Sequence, residues 1–229
     1  MSKYSSTFSL TKKQCTWGWI WWALQLFLIP MLLREGNRFL AAPLSEARLN
    51  FVFFCINFIG ITLILWRHII ASCAHGFRKI FRTLVSAFIG LAVYYLAKLL
   101  LNFATEHFFP AYANLNDGVI YGLMQDDPLF MRIGIFFLVP VAEELIYRGV
   151  IFGSIHGKSR FLAYALSAAL FSLVHFIGYF PDPLTFVLSF VLYLPAGLSL
   201  AWAYERSSSV LAPILMHIAI NLISTYFMR

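Results

Sequence analysis

The sequence predicts an all-α, polytopic membrane protein of about seven transmembrane helices with a cytoplasmic N-terminus. Of its 229 residues, 61% are hydrophobic and only 12% are charged, and the mean hydropathy is +0.78. A soluble domain of this length would need more polar residues to cover its surface. The apolar residues are grouped in long stretches, and basic residues lie between them.

Seven apolar stretches follow one another, each near the ~20 residues that cross a bilayer as a helix. Helices are expected because an isolated strand leaves its backbone unpaired in lipid. Trp17, Trp19, Trp21 and Trp22 open the first stretch, as is typical of an interfacial aromatic belt, and predict an uncleaved anchor. The stretches cover residues 17–33, 51–74, 84–103, 129–153, 161–180, 184–204 and 209–228.

Basic residues on alternate connections predict the orientation, because Lys and Arg are enriched on the cytoplasmic side. The opposite connections include residues 104–128, which contain acids but no Lys or Arg, and the short turn at 181–183. We therefore expect the N-terminus inside and the C-terminus outside, although Arg34, Arg38 and Arg48 in the first outer loop are an exception. The basic set is Lys3, Lys12, Lys13, Arg67, Arg78, Lys79, Arg82, Lys158, Arg160 and Arg206.

Residues 104–128 also divide the chain into an N-terminal three-helix part, 1–103, and a C-terminal four-helix part, 129–229. The net charge is +7. The basic residues lie beside apolar runs and form no basic stripe with aromatic residues, which excludes nucleic acid as a partner. The three cysteines have neither CxxC spacing nor histidines at metal-ligand spacing.

Charged residues inside the fourth apolar stretch indicate function. Glu143, Glu144 and Arg148 would each cost on the order of 2.5 to 3.5 kcal/mol at the bilayer centre, so they are expected to face protein or trapped water. Glu144 and Arg148 are four residues apart and share one helix face, whereas Glu143 is turned about 100° away. Glu143 is therefore predicted to be the less neutralised acid. A network that merely locks helices together is the structural alternative.

Two further apolar stretches each contribute a pair of residues at the same spacing of four. Phe171 and His175 share one helix face, as do His217 and Asn221, and we expect Phe171 to serve in packing. At ~1.5 Å per residue, Glu143, His175, His217 and Asn221 all lie roughly 12 to 22 Å from the predicted cytoplasmic ends. A common depth predicts one hydrated cavity, conical and polar, formed by the four C-terminal helices.

A carboxylate, two imidazoles and an amide suit activation of water and stabilisation of an oxyanion, which favours hydrolysis of an acyl bond. A serine nucleophile stays open through Ser167 and Ser172, which lie near His175 in the sequence. No HExxH motif is present, so no metal site is assigned and no cofactor is expected. If divalent zinc were bound, its ligands would be Glu143, His175 and His217.

These residues resemble the motifs of the CAAX-protease and bacteriocin-processing family, also called CPBP or Abi. Residues 143–149, Glu-Glu-Leu-Ile-Tyr-Arg-Gly, are similar to its Glu-Glu-x-x-x-Arg motif. Residues 171–175 resemble its Phe-x-x-x-His motif, and residues 217–221 its His-x-x-x-Asn motif. The resemblance covers residues 129–228, while the first three helices match only in being membrane helices.

The resemblance implies a relative of the type II CAAX prenyl endopeptidases. It implies that Glu143 and His175 activate water and that His217 and Asn221 bind the oxyanion, with Glu144 and Arg148 supporting them. Members of the family have been described both as metalloproteases and as metal-independent glutamate proteases, and we favour metal independence because a Glu/His pair is already a complete base.

The leading hypothesis is an intramembrane endopeptidase of a multi-pass protein in a cell membrane, expected to be the bacterial plasma membrane. Its partners would be the lipid bilayer and a peptide or protein substrate that is membrane-associated or carries a leader. One alternative is a catalytically silent bacteriocin-immunity or membrane scaffold protein of the same fold. A small transporter is a third reading, but the first three stretches lack the central acids or histidines of a proton path.

Overall fold

The computed structural model describes residues 10–176 and 182–227. Within these ranges nine helices and no strands are found. The helices are α1 (Lys12–Leu26), α2 (Leu28–Arg38), α3 (Glu46–Arg78), α4 (Ile80–Phe108), α5 (Leu115–Asp126), α6 (beginning at Pro128 and ending at His156), α7 (Arg160–Val174), α8 (Pro183–Ser207) and α9 (Leu211–Phe227). The last residues of the fifth apolar stretch, 177–180, and Pro181 in the predicted outer turn lie outside the described residues.

Helix length and apolar composition confirm an all-helical, multi-pass membrane fold. Among the described residues, α3, α4 and α8 are each long and apolar enough to cross a membrane, and α1 with α2 passes as a pair bent by 44°. Helices α7 and α9 are apolar but shorter, with 15 and 17 residues. Phe81, Phe88 and Phe103 on α4 are largely exposed, as expected of a surface that faces lipid. The count of seven spans stays a prediction.

Helix α5 lies within the segment that the sequence assigned to a loop. The Asn114 side chain accepts a hydrogen bond from the Asp117 N–H and so caps its first turn. Asp117 itself stands in that turn, where a carboxylate favours the positive end of the helix dipole. A capped short helix therefore covers one end of the bundle.

Helix α6 is the centre of the fold. All eight of its residues from Leu145 to Phe152 are buried, and they belong mainly to the largest hydrophobic cluster. Helices α1, α3, α7 and α8 pack around them. Apart from Arg148, this segment is apolar on every side and must be enclosed in this way, so its residues are held by contacts from several directions.

The closed end of the bundle, as we name it, comprises the turns at residues 76–83, 156–160 and 205–211. The Ser209 hydroxyl donates to the Ser72 carbonyl at 2.7 Å, and the Ser72 hydroxyl accepts from the Val210 N–H at 2.9 Å. The Thr83 hydroxyl donates to the Gly76 carbonyl at 3.0 Å. These short bonds join α3, α4 and the α8–α9 turn.

The open end lies opposite and comprises residues 104–128, the first turns of α8 and the last turns of α9. Here the elements are joined by longer side chains. The Tyr112 and Ser189 hydroxyls are 3.1 Å apart, and Asn116 Nδ2 donates to the Tyr193 hydroxyl at 3.1 Å. Helix α5 and the preceding loop are thereby attached to α8.

Candidate active site

Glu143 and Glu144 lie in α6 between two stretches where the helix is wound more widely. π-helical turns at Gly134–Leu138 and Leu145–Phe152 flank regular α-helix at Val139–Glu144. Pro140 lacks the N–H that an α-helix would use here, and the Val139 N–H bonds to the Gly134 carbonyl five residues back. Such π turns are rare and frequently occur at functional sites.

Glu144 and Arg148 form a fully buried ion pair, as expected from their spacing. Arg148 Nη1 donates to Glu144 Oε1 at 3.0 Å, and both side chains are 0% exposed. Arg148 Nη2 donates to the Gly197 carbonyl at 3.0 Å. The guanidinium carbon also lies 4.5 Å from the centre of the Phe171 ring, within cation–π range. The charge of Glu144 is therefore compensated without solvent.

Gly197 allows α8 to approach closely enough to provide that carbonyl. A Cβ atom at this position would lie 2.8 Å from the Ala168 Cα atom on α7, a contact with backbone that side-chain movement cannot relieve. The absence of a side chain thus brings α7 and α8 together beside Arg148.

Glu144 has a second partner that its spacing to Arg148 did not indicate. His217 Nδ1 lies 2.8 Å from Glu144 Oε1. An ionised carboxylate only accepts hydrogen bonds, so Nδ1 carries a hydrogen and donates it. The other ring nitrogen, Nε2, lies 3.9 Å from Glu143 Oε2, which is too long for a hydrogen bond. Glu144 therefore orients His217 towards Glu143.

The Glu143 carboxylate faces the cavity. Its side chain is 22% exposed, whereas that of Glu144 is 0% exposed. Its Oε2 atom is buried and has no hydrogen-bond partner among the described residues. The contrast between the neighbouring acids agrees with the prediction that Glu143 is the less neutralised of the two.

His175 directly follows the last residue of α7 and is held on two sides. Its Nδ1 atom lies 2.7 Å from the Phe171 carbonyl. A carbonyl can only accept, so Nδ1 is the donor and Nε2 of the neutral ring keeps its lone pair. The ring stacks on Tyr193 with centroids 4.2 Å apart and planes 22° apart. Phe171 packs against both His175 and His217, in keeping with a packing role.

Asn221 lies one turn beyond His217 on α9. Its Nδ2 atom donates to the Ile135 carbonyl at 2.8 Å, so one amide hydrogen is used by the backbone of α6. The second amide hydrogen remains for the cavity, to which Asn221 contributes a wall.

One cavity of about 1100 Å³ brings Glu143, His175, His217 and Asn221 together, and Phe171 lines it as well. Its walls extend beyond the four C-terminal helices that the sequence assigned to it. Helices α3, α4 and α5 contribute residues such as Phe54, Tyr94 and Asp117, because α5 folds over the open end. The N-terminal part of the chain therefore shapes the site without providing its motifs.

Tyr193 is a site residue that the sequence motifs did not reveal. Besides stacking on His175, its hydroxyl donates to Asn114 Oδ1 at 3.3 Å and accepts from Asn116 at 3.1 Å. The sequence does show a tyrosine in an apolar stretch and asparagines in the polar segment before it. That pattern does not reveal that these side chains contact one another.

The serines considered as nucleophiles are engaged elsewhere. Ser167 donates to the Tyr147 carbonyl and Ser172 to the Ala168 carbonyl, each at 2.9 Å. Both are 0% exposed, and neither lines the cavity. Their geometry offers no support for a serine mechanism.

The residues that would bind zinc, if zinc were present, are not arranged as a ready-made metal site among the described residues. Within the part of the chain that the structure describes, no three His, Cys, Asp or Glu side chains are grouped as a metal ion would require. Glu143, His175 and His217 share the cavity but do not fit a three-ligand zinc centre in this arrangement.

The chain is similar to curated bacterial proteins. It is 37% identical over 92 residues to the UPF0177 protein YbdJ of Lactococcus lactis, covering 40% of this chain and 36% of that one. It is 28% identical over 107 residues to the putative membrane peptidase YdiL of Bacillus subtilis, covering 46% and 40%. The chain thus spans less than half the length of these curated relatives. No solved structure matches it.

A family model locates the similarity within the chain. Residues 125–223 match the type II CAAX prenyl endopeptidase Rce1-like family, and this range includes all three motifs. The match indicates a membrane protein of the CAAX-protease type. The resemblance inferred from the motifs is confirmed, because residues 125–223 are similar to the Rce1-like, type II CAAX prenyl endopeptidase family.

Proposed function

We propose that this protein is an intramembrane endopeptidase of the bacterial plasma membrane that cleaves a membrane-associated or leader-bearing peptide with activated water. One observation carries the proposal. Glu143 has a carboxylate oxygen without a hydrogen-bond partner among the described residues, and it lines the same cavity as two histidines whose Nδ1 atoms are already held. Bases positioned in this way are what hydrolysis requires.

Glu143 and His175 act together on the attacking water. The His175 ring donates through Nδ1 to the Phe171 carbonyl, which leaves Nε2 as an acceptor. As the water oxygen bonds to the carbonyl carbon of the peptide, its proton passes to this pair. The pair later returns a proton to the amine that leaves when the C–N bond breaks.

His217 and Asn221 stabilise the negative oxygen of the tetrahedral intermediate. Asn221 offers its second amide hydrogen, since the first is used by Ile135. His217 donates from Nε2 only as an imidazolium, because Nδ1 donates to Glu144. The buried Glu144 carboxylate accepts the hydrogen bond from Nδ1 and holds the ring in place from behind.

Cleavage is tested by comparing the termini of membrane and secreted proteins in cells that carry the wild type, Glu143→Gln or the control Glu46→Gln. Glu46 is exposed at the start of α3, away from the cavity. Termini that disappear with Glu143→Gln and persist with Glu46→Gln are expected. Unchanged termini with a folded Glu143→Gln protein would contradict the proposal.

The same assay separates a protease from a silent immunity or scaffold protein and tests metal dependence. A protease loses product with His217→Ala, whereas a scaffold keeps its biological effect. The purified enzyme is expected to retain cleavage in a chelator, because the base and the oxyanion donors are side chains. Loss in chelator with recovery on adding zinc would instead assign a metal.

A further inference from the structure

We propose that Lys98 forms an anion subsite in the wall of the cavity and binds a carboxylate of the substrate peptide. It rests on the proposed function and adds a substrate class to it, namely peptides that carry a carboxylate within a few residues of the bond that is cut. That carboxylate belongs either to the free C-terminus of the peptide or to an Asp or Glu side chain.

Lys98 places a positive charge inside the long apolar helix α4. At ~1.5 Å per residue, it lies about 15 Å along the helix axis from Phe108, the last residue of α4. A lysine near the end of a membrane helix extends its ammonium group to the surface. The Lys98 side chain is instead half-buried and lines the cavity. A charge in this position is costly and indicates a function unless a structural partner accounts for it.

The ammonium group of Lys98 has no ion pair within the described part of the chain. Its nitrogen lies 5.9 Å from the centre of the Tyr94 ring, which is at the outer limit of a cation–π contact. The ring therefore compensates little of the charge.

Two acids of the cavity wall are the candidates for a structural partner, and neither accounts for Lys98. Asp117 stands in the first turn of α5, where the helix dipole favours its carboxylate without a lysine. Glu106 is exposed and lies about 12 Å further along α4, beyond the ~8 Å over which exposed charges interact at physiological salt. The charge of Lys98 is thus left for a ligand.

Lys98 lies about one helical turn nearer the open end than the proposed oxyanion donor Asn221. The Tyr95 hydroxyl is 3.5 Å from the Ile220 carbonyl, which aligns this part of α4 with the residue before Asn221. Lys98 follows Tyr95 by three residues, or ~4.5 Å along the axis. An extended peptide advances ~3.3 Å per residue. A peptide whose cleaved carbonyl lies at Asn221 therefore brings a group a few residues away to Lys98.

Peptide binding to a variant that does not cut tests the subsite separately from cleavage. Purified Glu143→Gln protein in detergent is mixed with a library of short apolar peptides, and bound peptides are identified and quantified by mass spectrometry. One pair of libraries compares a free with an amidated C-terminus. A second pair, both amidated, compares an internal Glu with an internal Gln. The two pairs distinguish a terminal carboxylate from a side-chain carboxylate.

We expect one carboxylate form to bind on the order of 10- to 100-fold more tightly than its neutral counterpart, as hydrogen bonds to charged groups do. Adding Lys98→Gln should abolish this preference, and adding Lys98→Glu should turn it against carboxylates. Adding Lys158→Gln should keep it, because Lys158 is exposed at the closed end and does not line the cavity.

Thermal unfolding tells a ligand site from an internal ion pair. We expect Lys98→Gln to leave the unfolding temperature unchanged or to raise it, because it removes an uncompensated charge. A decrease with both Lys98→Gln and Asp117→Asn would assign Lys98 to a structural pair and overturn the proposal.

Equal binding of the charged and neutral peptides, or no bound peptide at all, would also overturn it, as would a preference that survives Lys98→Gln. The wild type is incubated with the same peptides to separate this result from the proposed function. If carboxylate peptides bind through Lys98 and the wild type cuts none of them, the proposed function fails and the subsite stands.

Discussion

The closed and open ends of the bundle use polar residues in opposite ways. At the closed end, Ser72 and Ser209 are buried, and their hydroxyls bond to backbone groups within 3 Å. At the open end, Asn116 on α5 and Tyr193 on α8 are joined through long side chains. The helices enclose a cavity at this end. Small residues let backbones approach, whereas larger polar side chains hold them apart.

This difference explains why the site is a pocket that is closed at its inner end. Helices that converge at one end and separate at the other enclose a tapering space. Glu143 lies where the packing changes, with Glu144 and Arg148 on the dry side of it. One acid can then be structural and its neighbour available for chemistry, although they are adjacent in sequence.

The largest expected effect comes from breaking the ion pair at this boundary. Arg148→Met leaves the Glu144 charge buried with His217 alone, and loss of one partner of a buried pair costs about 3 to 5 kcal/mol. The free energy of unfolding, measured by denaturant titration in detergent, is expected to fall by that amount. Adding Glu144→Gln to Arg148→Met removes the stranded charge and should recover part of the loss.

Glu143→Gln is the matched control for this measurement. Its carboxylate lies beside the cavity and holds no ion pair as close as that of Glu144. We expect its unfolding free energy to change little. If Arg148→Met had the same free energy of unfolding as Glu143→Gln, the buried Glu144–Arg148 pair would contribute nothing to stability.

Two glycine substitutions test the packing difference between the ends. A Cβ atom at Gly76 would lie 2.5 Å from Ser209 Oγ and 3.1 Å from its Cβ, whereas nothing lies within 4 Å of one at Gly122 on α5. Gly76→Ala is expected to destabilise by about 1 to 3 kcal/mol through overpacking. Gly122→Ala is expected to stabilise by roughly 0.5 to 1 kcal/mol through helix propensity.

Thermal unfolding of both variants in the same detergent measures this contrast. A common sign for the two changes would show that the closed end is no more tightly packed than the open end. A drop for Gly76→Ala that Ser209→Gly relieves would identify Ser209 as the colliding group, at the expense of its bond to Ser72.

The sequence predicted which residues would meet at the site better than it predicted what surrounds them. The spacing from Glu144 to Arg148 determines their shared helix face, so their pairing followed from geometry alone. The common depth of His175, His217 and Asn221 likewise followed from counting residues along apolar stretches. These inferences need only local periodicity and a membrane of known thickness.

Contacts between distant segments could not be predicted in this way. The bond from Glu144 to His217 joins residues 73 positions apart and depends on how α6 and α9 rotate against each other. The π turns of α6 shift that rotation, and α5 covers the cavity from a segment that looks like a loop. Tertiary packing, rather than any single stretch, decides these features.

The smallest expected effect concerns the cover of the open end. Tyr193→Phe keeps an aromatic ring to stack on His175 but removes the hydroxyl that bonds Asn114 and Asn116. Two partly buried hydrogen bonds of this kind contribute about 0.5 to 1.5 kcal/mol each at most. Because they join the cover to α8 and not the core, most of the loss should appear as local opening.

Hydrogen exchange of backbone amides measures that opening directly. We expect faster exchange in residues 109–118 of Tyr193→Phe, with little change at the closed end and a nearly unchanged unfolding temperature. Tyr112→Phe, which removes the neighbouring bond to Ser189, is the comparison for a contact that does not involve His175. If exchange accelerated equally at both ends, the cover would be part of the cooperative core, and the contrast between the two ends would not extend to their stability.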